Sequence, residues 1–154
     1  MTWDEIINDP TLQNLPYKIE LNRFGQILMS PASNKHGMIQ FDVARAIDRR
    51  KNSGRLITEC SVDTSDGVKV ADVAWASDEF IAEYGEVTPY PKAPEICVEV
   101  VSPSNSKQEI EHKVELYLAK GALEVWVVTS SKQITFYTHT GQIPRSKLVP
   151  QLKF

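Results

Sequence analysis

The chain has 154 residues, of which 42% are hydrophobic and 24% are charged. This is the size and composition of one globular domain, which excludes disordered, collagen-like and disulfide-stapled classes. The formal net charge of −3 argues against a protein that coats nucleic acid. No apolar run is long enough to span a membrane, and the acidic N-terminus lacks the apolar core of a signal peptide.

The two cysteines, Cys60 and Cys97, lie within apolar runs and are expected to be reduced core residues of a cytoplasmic protein. Charge is unevenly distributed along the chain. A basic cluster over residues 45–55 includes Arg45, Arg49 and Arg50. Such a cluster can guide a polyanion, or it can be a solvated surface.

The first half of the sequence predicts two helices and a pair of strands. Thr2 is a suitable N-cap for the first helix, and Gly25 provides the backbone freedom that a turn between the strands requires. Apolar residues at three- and four-residue spacing mark the second helix, and Asn52-Ser53-Gly54 follows it. The predicted elements are a helix over 3–8, strands over 17–22 and 26–29, and a helix over 34–52.

The second half predicts five strands and a long helix. Asp66-Gly67 indicates a hairpin, and Gly121 marks the end of the helix. The predicted elements are strands over 55–62, 68–76 and 95–101, a helical turn near 79–84, a helix over 106–120, and strands over 123–129 and 133–138. This order favours a single α/β or α+β domain over residues 1–154, with a mixed sheet flanked by helices.

Several well-known catalytic and cofactor motifs do not occur in the sequence. The chain has no P-loop, no G-x-G-x-x-G, no G-x-S-x-G, no C-x-x-C and no H-E-x-x-H. A nucleotide cofactor is therefore not expected.

Two acidic residues interrupt apolar strands. Glu99 is the only charged residue between Ile96 and Val101, and Asp72 stands alone within the run Val70–Trp75. A buried, unpaired carboxylate costs several kcal/mol, so each acid is expected to be protonated, paired or bound to a metal. Mg²⁺ would suit both acids, because it takes one or two protein carboxylates together with waters and phosphate oxygens.

Two simpler arrangements remain open for these acids. Either could face solvent from an edge strand, or either could pair with Lys69, Lys113 or an arginine. If the two acids are close and lack a cation, they repel each other, and at least one is expected to titrate above its usual value.

The second long helix brings a lysine towards the same place. Lys113 lies one turn before Tyr117, on the side that also carries Ile110 and Val114. A helix that follows the Glu99 strand packs back across the sheet, so Lys113 is placed to reach Glu99. The alternative is that Lys113 extends outward to solvent.

These residues resemble the PD-(D/E)xK nuclease superfamily, and more narrowly its Uma-type family of small bacterial restriction endonucleases. The resemblance extends from about Tyr17 to Phe154. The residues that carry it are Tyr17-Lys-Ile-Glu20, Gly25, Met29-Ser-Pro31, His36, Ala71-Asp72-Val73, Ala93-Pro94, Glu99 with Ser102-Pro103-Ser104, Lys113-Val-Glu-Leu-Tyr117, Gly121 and Glu124-Val-Trp126.

The resemblance implies a restriction-endonuclease-like sheet and Mg²⁺- or Mn²⁺-dependent hydrolysis of DNA. It assigns Asp72 and Glu99 to the metal and the catalytic motif. Val101 stands where the family's lysine is usual, and in similar families that role moves to the following helix, which points to Lys113.

The remaining positions follow from the same resemblance. Glu20 matches an additional acidic position, and His36 matches a polar position at the start of a helix. Tyr117 is expected to support Lys113. Apart from the resemblance, the basic residues Arg45, Arg49 and Arg50 of the surface helix are candidates for contacts with DNA phosphates.

Because cutting both strands needs two sites, a homodimer is expected. The open alternatives are a nuclease-fold module that binds nucleic acid or protein without cleaving, which Val101 favours, and a purely structural protein.

Overall fold

A six-stranded mixed sheet forms the centre of the fold, and helices cover both of its faces. The computed structural model describes residues 1–152 and 154. The elements are α1 Trp3–Asn8, a 3₁₀ turn Pro10–Leu12, β1 Tyr17–Leu21, β2 Ile27–Pro31, α2 Asn34–Asp48, β3 Arg55–Thr64, β4 Gly67–Ala76, α3 Asp78–Tyr84, β5 Ile96–Val100, α4 Lys107–Ala119, β6 Glu124–Val128, β7 Ile134–Thr138 and β8 Gly141–Ile143.

The strand order in this sheet is β3-β4-β5-β6-β7-β8, and β1 and β2 form a separate antiparallel hairpin. Only the β5–β6 pair is parallel, as expected for two strands joined by the α4 crossover. Every residue of β5 and β6 is buried. The predicted mixed sheet flanked by helices is confirmed.

The two long helices pack on opposite faces of the sheet. Ile39, Val43 and Ile47 of α2 pack with Val98 and Trp126 on one face. The apolar side of α4 packs on the other face, and its buried residues there are Ile110, Val114 and Tyr117. Buried free thiols at Cys60 and Cys97 belong to the second cluster, in line with the expectation of reduced core cysteines.

The two helices begin at serine caps. The Ser33 hydroxyl accepts a hydrogen bond from the backbone N–H of His36, and Ser106 does the same for Glu109. The first cap fixes His36 in the first turn of α2, at the end of the helix that lies nearest the buried acids.

One sequence-based helix boundary was wrong, and one strand was missed. The helix expected over 34–52 ends at Asp48, because the N–H groups of Arg50 and Lys51 both turn back to the Ile47 carbonyl. The basic residues Arg49 and Arg50 therefore follow the helix instead of forming its last turn. Strand β8, which has three residues, was not predicted at all.

No helix in the described part of the chain combines the length and apolar character needed to cross a membrane.

Candidate active site

The site lies at a fork in the main sheet, which is the point where strands β4 and β5 separate. The β4–β5 ladder ends at the pair Val73–Val98, and β1 lies against the part of β4 that precedes this point. At the fork, carboxylate oxygens accept hydrogen bonds from backbone N–H groups of β4 and β5. Asp72 Oδ2 accepts a 2.7 Å hydrogen bond from the Val100 N–H, and Glu20 Oε2 accepts one of 2.7 Å from the Val70 N–H.

Asp72 and Glu99 converge on a single cation at this fork. The Lys18 ammonium lies 3.2 Å from Asp72 Oδ1 and 3.2 Å from Glu99 Oε2. Both carboxylates are almost completely buried, with exposures of 1% and 2%. Neither acid faces solvent from an edge strand, so that sequence-based alternative was wrong.

A second lysine reaches the site from α4. Lys113 Nζ lies 2.8 Å from Glu20 Oε1 and 3.6 Å from Glu99 Oε2. Its side chain is 12% exposed, so Lys113 points into the site and does not extend to solvent. The helix that follows β5 therefore packs back as expected and delivers its lysine to Glu99.

A tyrosine and a histidine also contact the two acids. The Tyr117 hydroxyl donates a 2.8 Å hydrogen bond to Glu99 Oε1. His36 Nε2 lies 3.1 Å from Asp72 Oδ1. Tyr117 was expected to support Lys113, but in the structure its hydroxyl contacts Glu99, because Glu99 is the buried acceptor beneath that turn of α4.

The surroundings shift the pKa values of Glu99 and Asp72 in opposite directions. Burial raises the pKa of Glu99, and the nearby negative charges of Asp72 and Glu20 add to that rise against the effect of the lysines. Burial also raises the pKa of Asp72, but Lys18 and His36 outweigh burial and lower that pKa to about 2.

The same charges also shift the pKa values of Lys18 and His36. Burial would lower the pKa of Lys18, but Glu99, Asp72 and Glu20 together raise it. The hydrogen bond that His36 donates to Asp72 raises the pKa of His36. Glu99 therefore has the raised pKa that was expected of at least one of the two neighbouring acids. Asp72 does not, because Lys18 and His36 lower its pKa.

The structure brings together six of the residues named from the sequence: Glu20, His36, Asp72, Glu99, Lys113 and Tyr117. It does not bring the three arginines there. Arg45 pairs with Asp42, and Arg49 and Arg50 follow the C-terminal end of α2, whereas His36 is in its first turn. At about 1.5 Å per helical residue, Arg49 is about 20 Å from His36 along the helix axis.

Sequence reasoning missed Lys18 and Glu59 as neighbours of the site. Lys18 is two residues before Glu20 on β1, and alternate residues of a strand share a face, so this spacing was the available signal. Glu59 lies on β3 and has a left-handed backbone with φ 54°. Such a backbone is unfavourable for glutamate, and no pattern in the sequence indicates it.

The donor set suits a hard divalent cation. Asp72 and Glu99 offer carboxylate oxygens to the position now held by one ammonium, and Glu20 is 4.0 Å from the same ammonium. Among residues 1–152 and 154, no three His, Cys, Asp or Glu side chains form a ready ligand cluster. Mg²⁺ does not require one, because it commonly binds one or two carboxylates and completes its shell with waters and phosphate.

Two cavities adjoin the site. A small one of about 30 Å³ is lined by Lys18, His36, Asp72, Glu99 and Lys113, among others. A larger groove of about 480 Å³ begins at Glu20 and Lys113 and continues along β2 and α4. The acids thus lie next to a groove that continues along β2 and α4.

The chain was compared with protein-family models, with curated proteins and with solved structures. The model of the Uma2 family, described as "Putative restriction endonuclease", matches residues 5–152. The fold is similar to the crystal structure of "a putative nuclease belonging to DUF820" from Anabaena variabilis ATCC 29413, with a TM-score of 0.77 and 21% identity. That match covers 100% of this chain and 94% of the other. No curated protein matches the chain.

Proposed function

Because the chain belongs to the Uma2 family, as its resemblance in sequence indicated, we propose that it is a Mg²⁺-dependent endonuclease that hydrolyses phosphodiester bonds of DNA. One observation carries the proposal. Asp72 Oδ1 and Glu99 Oε2 meet at a single cation position, and Lys113 lies 3.6 Å from the same Glu99 oxygen.

Asp72 and Glu99 would hold the metal, for which Mn²⁺ is an alternative to Mg²⁺. When bound, such an ion supplies charge neutralisation at a phosphate oxygen and lowers the pKa of coordinated water. Tyr117 holds Glu99 in place through its hydroxyl, and His36 does the same for Asp72.

Lys113 is the group that would act on the reacting phosphate. Its ammonium is held 2.8 Å from Glu20, which keeps it at the mouth of the site in a fixed position. From there it would donate hydrogen bonds to a phosphate oxygen as negative charge develops, or orient the attacking water. Glu20 is in this view a positioning residue for Lys113.

The test uses the full chain with supercoiled plasmid, short duplex DNA and RNA, each in Mg²⁺, Mn²⁺ or EDTA. We expect metal-dependent cleavage of DNA that is lost in Asp72→Ala and in Glu99→Gln. Asp48→Ala is the matched control, because Asp48 is an exposed acid at the far end of α2. Cleavage that persists in EDTA, or in folded Asp72→Ala, would contradict the proposal.

A second function is favoured by Val101 and by Lys18. With Val101 in the usual lysine position and an ammonium between the two acids, the chain would act as a binding module that does not cleave. Wild-type protein that binds DNA but leaves it intact in every metal would favour this function. Homodimerisation and a cytoplasmic location remain predictions.

A further inference from the structure

Lys18 occupies the position that a divalent cation would need. Its nitrogen is equally distant, at 3.2 Å, from Asp72 Oδ1 and Glu99 Oε2. The other oxygen of each acid is already engaged, by the Val100 N–H and by the Tyr117 hydroxyl. The two oxygens that face the site are therefore the two that Lys18 binds.

Space at the site does not allow Lys18 and a hydrated cation together. The cavity that Lys18 shares with Asp72 and Glu99 has a volume of about 30 Å³. Mg²⁺ requires six oxygen ligands in a near-octahedral shell, so it needs the volume that the ammonium fills.

Charge leads to the same conclusion. Three carboxylates, Glu20, Asp72 and Glu99, face two ammonium groups, which leaves one net negative charge. A divalent cation added to this set would create a net positive charge and place cations side by side in a buried site. Lys113 is held by Glu20 at 2.8 Å, outside the pair of acids, so Lys18 is the ammonium that must leave.

A place for the displaced ammonium exists beside Glu59. Lys18 also lines an open cavity of about 310 Å³, and Glu59 is in the wall of that cavity. Glu59 is opposite Asp72 in the β3–β4 hairpin, because its neighbours Thr58 and Cys60 pair with Val73 and Ala71. Its left-handed backbone, φ 54°, is a strained conformation that the surrounding structure maintains.

We propose that Lys18 is an exchangeable counterion: it neutralises Asp72 and Glu99 while no divalent cation is bound, and turns to the Glu59 carboxylate when one binds. This inference rests on the proposed function, because the displacing cation is the one that cleavage would use. Lys18 thereby keeps two buried acids together in the metal-free protein and sets the affinity for the metal.

The first test measures the accessibility of Lys18 in the wild-type chain. Limited acetylation with and without Mg²⁺, quantified by mass spectrometry of each peptide, reports how exposed each ammonium is. Acetylation of Lys18 should accelerate severalfold in Mg²⁺. Lys113 is the internal control, because both side chains are 12% exposed in the structure and Lys113 stays on Glu20. Mg²⁺ binding without any increase at Lys18 would overturn the inference.

The second test is Mg²⁺ titration calorimetry on three variants of the full chain. Lys18→Met, which keeps the length and removes the charge, should bind Mg²⁺ about tenfold more tightly, a change of about 1.4 kcal/mol. Glu59→Gln, which removes the receiving carboxylate, should bind it more weakly. Lys107→Met is the control, because Lys107 is 89% exposed and pairs with Glu111 on the surface of α4.

The outcomes separate this inference from the proposed function. If the wild type binds Mg²⁺ and Lys18→Met binds it no more tightly, the inference is wrong and the proposed function stands. If only Lys18→Met binds Mg²⁺, Lys18 is a permanent counterion that blocks the site, so both the exchange and the proposed function are wrong. If neither binds Mg²⁺, both are wrong. Should Lys18→Met fail to fold, acetylation of the wild type and titration of Glu59→Gln still decide.

Discussion

The Tyr117 hydroxyl donates a 2.8 Å hydrogen bond to Glu99 Oε1, and both side chains are completely enclosed beneath the fork of the sheet. The bond connects α4 to the Glu99 carboxylate through Oε1. The ammonium groups of Lys18 and Lys113 contact the other oxygen, Oε2. Glu99 is thus held from two sides, and only the Oε2 atom is turned towards the site.

Replacement of Tyr117 by phenylalanine should therefore affect both stability and the metal site. Glu99 Oε1 would lose its donor in a buried place, which costs about 1–3 kcal/mol of unfolding free energy. Loss of a group that orients a metal ligand lowers metal affinity by about tenfold or more. Urea unfolding and Mg²⁺ titration measure the two effects.

The control for this change is Tyr84→Phe, because Tyr84 packs by its ring against Phe80, away from the acids. If Tyr84→Phe and Tyr117→Phe lose the same stability and neither changes Mg²⁺ affinity, the Tyr117 hydroxyl has no special role at Glu99.

Much of the fold was predictable because its signals are local. The spacing of Ile39, Val43 and Ile47 predicts α2, and the Asp66-Gly67 pair predicts the β3–β4 hairpin. The three-residue strand β8 is too short to show any alternation. The end of α2 was misplaced because basic residues suit the end of a helix and also suit the turn after it.

The candidate site was predictable where a residue breaks its own local pattern. Asp72 and Glu99 are charges within apolar strands, and Lys113 is a charge beside an apolar helix face. Lys18 breaks no pattern, since an alternating polar residue on a hairpin is ordinary. Its spacing from Glu20 places it on the same face of β1, but its contact with Asp72 and Glu99 follows from how β1 lies against β4, which the sequence of either strand does not contain.

Removal of the Lys113 ammonium should separate metal binding from catalysis. Lys113→Ala is expected to abolish Mg²⁺-dependent cleavage, with a loss of about 10²-fold or more, because it removes a donor aimed at developing charge. Mg²⁺ binding should remain largely intact, since Asp72 and Glu99 carry the affinity. Lys113→Arg should rescue cleavage poorly, because a planar guanidinium does not replace a compact ammonium.

Single-turnover cleavage and Mg²⁺ titration measure the two properties, and Lys107→Ala is the control at the exposed start of α4. If Lys113→Ala cleaves as fast as the wild type, Lys113 only neutralises Glu20 and takes no part in the reaction.

A pH dependence is expected from Asp66, which lies away from the two central acids. Its carboxylate accepts from His112 Nε2 at 2.9 Å and from the Arg23 N–H at 3.1 Å. Burial would raise the pKa of Asp66, but these donors and Lys69 lower it below its usual value. A lowered pKa means that Asp66 stabilises the fold above its unfolded pKa and loses this effect as the pH falls.

Asp66→Asn should therefore cost about 0.5–1 kcal/mol of unfolding free energy near pH 7, as expected for a partly exposed ionic contact. The difference from wild type should shrink as the pH falls from about 5 towards 2, because both proteins then lack the charge. Urea unfolding across this range measures it, with Asp63→Asn as an exposed control in the same hairpin. A difference that stays constant with pH would show that shape and not charge matters at this position.

Glu124 is buried as deeply as Glu99, at 2% exposure. Its hydrogen-bond partners indicate that it stabilises the fold and is not part of the candidate site. Its Oε1 accepts from Trp126 Nε1 and Ser146 Oγ at 2.9 and 2.6 Å. Its Oε2 accepts from the N–H groups of Lys147 and Leu148 at 2.8 and 3.0 Å. Four donors saturate the carboxylate and tie the C-terminal segment to β6.

Glu124→Gln should consequently destabilise the protein without affecting the metal site. The new amide would turn an N–H group towards existing donors, which costs about 1.5–3 kcal/mol, the range for a hydrogen bond to a charged group. Hydrogen exchange at the Lys147 and Leu148 amides should accelerate, while Mg²⁺ affinity stays as in the wild type. Glu99→Gln should do the reverse and lose Mg²⁺ binding without faster exchange at these amides. If Glu124→Gln also loses Mg²⁺ binding while still folded, the division between a structural and a functional buried acid is wrong.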